Sequence, residues 1–183
     1  PYTTLFRSMI NTVVIPQIND ILEEYRIQLH AIDLRWGLTA EDTSNSGLGA
    51  LEHCLREVEQ SKPFVISLLG ERYGWGPDEY KISNRPEFSW IKNHPPGYSI
   101  THLEVLQGLI NSWGKPSYGF TYERRPHFID TIQNDEDRKI FEFDHKSDPT
   151  KLKLRNKMRF DLKSHPFSTY HSYNCKYAGR DSQ

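Results

Sequence analysis

The segment PFVISLL, residues 63–69, constrains the fold more than any other part of the chain. From Phe64 to Leu69 it runs six residues without a charge, apolar at neighbouring rather than alternate positions. A strand of that kind is expected to be covered on both faces, the pattern of a central strand in a parallel sheet. Segments around it alternate in type. Ile10, Val14, Ile18, Ile21 and Tyr25 mark an amphipathic helix over Met9–Tyr25, with a kink at Pro16, and IQLHAIDL (27–34) reads as a short strand. Leu48, Leu51, Leu55 and Val58 mark a second helix, with Ser44 or Ser46 available as its cap. ITHLEVLQGLINSW (100–113) supplies a third helix, and SYGFTY (117–122) and PFSTYHSY (166–173) supply further strands. Right-handed crossovers between parallel strands place the loops that follow them along one sheet edge.

The C-terminal third is less regular. DTIQNDEDRKIFEFDHKSDP (130–149) reads as a helix plus a loop. KLKLRNKMRFDLK (151–163) alternates like a strand. Its thirteen residues, its helix-favouring Lys, Leu, Arg and Met, and the shared face of Leu154, Met158 and Leu162 decide for helix.

With 183 residues and 36 % hydrophobic content, the chain suits one domain with a sizeable core. A formal net charge of -1 supplies no overall attraction to nucleic acid or an anionic membrane. No apolar run reaches bilayer-spanning length, and Cys54 and Cys175 fit neither a disulfide framework nor a metal-ligand spacing. These features point to a cytoplasmic chain without a resident metal or cofactor.

Two loops carry candidate binding residues. DLRWG places Arg35 and Trp36 after one strand, and GERYGWG places Arg72, Tyr73 and Trp75 after another, each among glycines. Arginine can pair with phosphate or carboxylate, and the rings can stack on a base or a guanidinium. The plainer reading is that these side chains pack over the crevice or dock a neighbouring domain, while Glu71 pairs with an arginine in an exposed contact. Lys151, Lys153, Arg155, Lys157 and Arg159 form a basic run whose spacing fits a solvated helix better than an RNA-binding stripe.

IDLRWGLTAED, CLREVEQSKPFVISLLGERYGW, PGYSITHLEVLQGL and YERRPHFID resemble, in collinear order from Met9 to Gly179, the TIR-like domain of unknown function that precedes NACHT-type ATPase modules. It is the type found in telomerase protein component one, nephrocystin-3 and NACHT/WD-repeat proteins. The resemblance implies a flavodoxin-like, TIR-like α/β fold with a doubly wound, mainly parallel sheet. It also implies a noncatalytic interaction or regulatory role within a large STAND-type ATPase carrying WD or TPR repeats. Its partners would be proteins, including intramolecular NACHT or repeat domains, with self-association as a further prospect. No G-x-x-x-x-G-K-[ST] occurs here, so this chain offers no P-loop.

That domain type begins with a strand and a Ser/Thr-rich turn. Here PYTTLFRS, residues 1–8, reads as a translated sequencing adapter and is set aside as non-native, which leaves the first strand missing. Residues 9–179 then form the domain, and 180–183 a tail.

Glu104, in SITHLEV, resembles the glutamate with which TIR-type NAD glycohydrolases and nucleoside deoxyribosyltransferases act at the sugar. The alternative function is accordingly cleavage of NAD or a nucleotide, with NAD as substrate. Thr101 and Glu104 also have the T-x-x-E spacing of a capping box, in which the glutamate only bonds the cap's backbone N–H, and this reading is favoured.

Overall fold

The computed structural model describes residues 7–32, 49–111, 117–143 and 148–179. Three strands, β1 (Phe64–Leu69), β2 (Tyr118–Arg124) and β3 (Ser168–Tyr173), form an open sheet in the order β1-β2-β3. Both pairings are parallel, with Ile66 opposite Phe120 and Phe120 opposite Thr169. This is an α/β architecture consistent with a flavodoxin-like fold.

The helices are α1 (Ile15–Leu22), α2 (Ala50–Gln60), α3 (Ile100–Val105), α4 (Asp135–Phe141) and α5 (Pro149–Ser164). Pro16 does not break the N-terminal helix. A π-helical turn, Ile10–Val14, precedes α1, and Ile15 N–H bonds Ile10 O, so Pro16 falls in the first α-turn where its missing donor is not needed. A second π-turn, Leu106–Ile110, continues α3. The residues from 151 to 163 are helical, as length and composition indicate. Asp148 accepts hydrogen bonds from the N–H groups of Thr150 and Lys151 at 2.9 and 3.1 Å, and Pro149 opens the helix.

Three expectations need correction. Residues 27–32 form no strand: Asn19 takes both backbone groups of Leu29, its Oδ1 accepting from Leu29 N at 2.7 Å and its Nδ2 donating to Leu29 O at 3.0 Å. A side-chain amide there occupies groups that a neighbouring strand would use. Gly49 is the N-cap of α2; Ser44 and Ser46 lie outside the described residues. β1 is covered on one face only: Ser67 and Leu69 are buried, whereas Phe64 and Ile66 are exposed. The chain moves across the sheet in one direction, so right-handed crossovers bring successive connections onto the same face.

The covered face is tightly packed. Leu69, Val105, Leu109, Met158 and Leu162 form one cluster between the sheet, α3 and α5. A Cβ on Gly108 would lie 2.8 Å from Val58 Cγ1 and 2.9 Å from Val65 Cγ2, so the close approach of this turn to α2 and β1 requires a residue without a side chain. Leu51, Leu55, Phe88, Ile91 and Leu103 form a second cluster beneath the 3₁₀ segment Pro86–Asn93.

Candidate functional site

The loop after β1 is braced from below by α5. Glu71 receives Arg155 and, at 3.2 Å, Arg159, whose Nε lies 3.0 Å from Glu123 at the end of β2. Arg159 also donates to Gly70 O at 2.7 Å. Glu71 is therefore the centre of a mostly buried network, not one half of an exposed pair. Arg155 and Arg159, two of the six basic residues of the helix, turn inward to hold strand ends. Burial and the neighbouring Arg159 pull the Arg155 guanidinium below its usual pKa, against the pull of Glu71.

Tyr73 and Trp75 part company two residues later. Tyr73 is buried, its hydroxyl 2.8 Å from His102 Nδ1 and accepting from Ser99 N–H at 3.3 Å. Burial pushes the Tyr73 pKa up to about 12 and His102 down to about 3, so both are neutral at physiological pH. Trp75 is 68 % exposed and Arg72 is exposed as well. The glycines on either side of Trp75 serve the turn: Gly74 has φ +89°, and a Cβ on Gly76 would lie 2.3 Å from Tyr98 O. Arg35 and Trp36 lie outside the described residues.

Glu104 is in a different place. The cap of α3 is Ser99, whose hydroxyl accepts from His102 N–H at 3.2 Å, so Thr101 and Glu104 do not form the expected capping box. One turn further on, Glu104 faces a cavity of about 190 Å³ beside the edge of β1 that β2 does not occupy. Arg7, Asn11, Ser67 and Thr101 supply its other polar groups, with Ile32, Val65 and Val105 among its apolar walls. Arg7 belongs to the segment read as non-native.

The Glu104 carboxyl bonds the Cys54 thiol, and burial raises its pKa to about 7, with Arg7 and Cys54 pulling the other way. Burial and the Glu104 carboxylate push Cys54 up to about 12, so it is a neutral thiol. A carboxyl near 7 can exchange a proton at physiological pH. The Cys54 contact was illegible in sequence, because fifty residues and two elements separate the partners. Ser99, two residues ahead of Thr101, is a cap-type residue visible in the sequence. Among the described residues no group of three or more His, Cys, Asp and Glu could hold a metal ion, and no helix is long and apolar enough to cross a membrane.

A family profile described as a domain of unknown function (DUF4062) matches residues 17–166. The chain belongs to the DUF4062 family. It is 35 % identical over 175 residues to mouse telomerase protein component 1, a match covering 94 % of this chain and 6 % of that protein. The rat telomerase protein component 1 is 40 % identical over 128 residues, 69 % of this chain and 5 % of the relative. A TPR repeat-containing protein of Dictyostelium discoideum is 34 % identical over 140 residues, 70 % of this chain and 8 % of the relative. The chain thus spans under a tenth of the length of each of these relatives. No solved structure matches it.

Proposed function

We propose that this DUF4062 chain is a noncatalytic protein-interaction module, TIR-like over residues 9–179, that regulates a larger cytoplasmic NACHT (STAND-type) ATPase with WD or TPR repeats. The observation that carries the reading is the contrast within one loop. Glu71 and Tyr73 are fixed below it by α5 and His102, while Arg72 and Trp75 stand exposed above. A large exposed ring on a braced loop suits a docking anchor, because little backbone freedom remains to be lost on binding. The partner is the ATPase or repeat region of the same protein. Relatives that are a telomerase component and a TPR-repeat protein, both far longer than this chain, support an assembly role. Mixing the module with the remainder of its parent protein tests this. Trp75→Ala is expected to weaken binding about tenfold or more, as loss of an interface anchor does; unchanged binding would remove this docking face.

A second reading rests on Glu104. A partly protonated carboxyl in a cavity with hydroxyls and an asparagine fits attack on, or stabilisation of, an oxocarbenium-like sugar as a base departs. It predicts release of nicotinamide from NAD by a chain with its natural N-terminus, lost in Glu104→Gln. Absence of turnover there would dismiss it.

A further inference from the structure

The sheet face away from α3 and α5 is apolar along β1 and β2, with the exposed Thr169 and His171 of β3 beside it. Phe64 and Ile66 of β1, Tyr118 and Phe120 of β2, and Phe167 at the start of β3 are each 37–51 % exposed. Register puts them side by side: Phe64 pairs with Tyr118 and Ile66 with Phe120, and the Tyr118 ring lies 5.9 Å from Phe64 and 5.8 Å from Phe167. Four rings of about 200 Å² at just under half exposure, with Ile66, present roughly 450 Å² of apolar area. That is the size of the largest apolar patch on a typical single-chain protein, a kind of patch that is often functional.

The same chain carries a helix with the opposite deficiency. The helical run from Ile10 to Leu22 has no buried residue. Met9, Val13, Val14, Ile21 and Tyr25 are 41–67 % exposed, and four of them recur at spacings of four or eight, on one side. Its inner side is held elsewhere: Ile10 and Asn11 line the cavity at the β1 edge, and Asn19 is bonded to Leu29.

We infer that two copies of this chain pair by reciprocal exchange, the outer face of Met9–Tyr25 of each copy lying across the Phe64, Ile66, Tyr118, Phe120 and Phe167 face of the other. Area selects this arrangement. Packing sheet against sheet would remove only about 900 Å² in all, short of the roughly 1,200 Å² at which stable specific interfaces begin. Two helix-on-sheet contacts remove about 1,800 Å², within the ordinary range, and a two-fold axis generates the second contact from the first. A helix is also the usual cover for a parallel sheet. This pairing does not involve Trp75 and stands apart from the docking reading.

Sedimentation of the 183-residue chain tests it, with circular dichroism confirming that each variant is folded. The chain is expected to be a dimer of 21.5 kDa subunits. Phe120→Glu and Ile21→Glu are each expected to weaken dimerisation at least about tenfold. Phe160→Glu, on the exposed side of α5, is expected to leave it unchanged. An equimolar mixture of Ile21→Cys and Phe120→Cys chains should form a disulfide-linked heterodimer under mild oxidation. A monomer at all concentrations, a dimer indifferent to Ile21→Glu, or closure of the Ile21→Cys/Phe120→Cys double variant within one dilute chain would each overturn the exchange.

Discussion

Arg159 joins Glu71 to Glu123, its guanidinium 3.2 Å from one carboxylate and 3.0 Å from the other, so a single side chain of α5 ties together the ends of β1 and β2. All three side chains are mostly buried. Removing the cation leaves Glu71 with Arg155 alone and Glu123 with only Lys163, at 3.8 Å, both carboxylates still mostly buried. Arg159→Met is expected to destabilise the fold by about 3 kcal/mol, the scale for breaking one side of a buried pair, measured by urea unfolding. Faster amide exchange at residues 70–76 should accompany it, because the loop that presents Trp75 loses its brace.

Tyr73 and His102 give a second test. Tyr73→Phe leaves Nδ1 of His102 buried without its partner and is expected to lower stability by about 1–3 kcal/mol at pH 7. A loss below about 0.5 kcal/mol in thermal or urea unfolding would show that the bond contributes little to the fold.

His102 also sets a pH dependence. Its folded pKa of about 3 lies below the usual 6.5, so at intermediate pH the unfolded chain binds the extra proton. The stability associated with the neutral ring is complete above pH 6.5 and is lost progressively as pH falls toward 3, by up to about 1.4 kcal/mol per pH unit. His102→Gln should flatten that slope in unfolding curves collected between pH 3.5 and 6.5.

Glu104 acts with the opposite sign. Its folded pKa of about 7 lies above the usual 4.5, so the folded chain holds the extra proton. The associated stability is complete below pH 4.5 and is lost as pH rises through 7. Glu104→Gln should therefore make the fold more stable than wild type at pH 8, by at most about 3 kcal/mol, with the difference shrinking toward pH 4.5. The two slopes oppose each other between pH 4.5 and 6.5, so each is read from its own variant.

Two glycines separate forgiving from unforgiving contacts. A Cβ on Gly119 would lie 2.7 Å from Leu109 Cδ2, the end of a flexible side chain, whereas one on Gly76 would lie 2.3 Å from the backbone oxygen of Tyr98. Gly76→Ala is expected to be the more damaging by at least about 1 kcal/mol in chemical denaturation, because a carbonyl held by its own chain cannot turn aside.

Local features of the chain settled the strands at 64–69, 118–124 and 168–173, the helices at 50–60, 100–110 and 149–164, and the α/β class, because apolar periodicity and turn residues act over a few neighbours. Asp148 before Pro149 and Ser99 before Ile100 were readable helix starts for the same reason. Tertiary structure alone decided that Tyr73 turns inward while Trp75 stays out, that Arg159 spans two strand ends, and that Cys54 meets Glu104 at a cavity. It also decided that β1, despite its near-continuous apolar run, is covered on one face only. Those outcomes depend on which elements arrive beside one another after the chain has crossed the sheet, and neither the spacing nor the hydropathy of a single segment encodes its eventual neighbour.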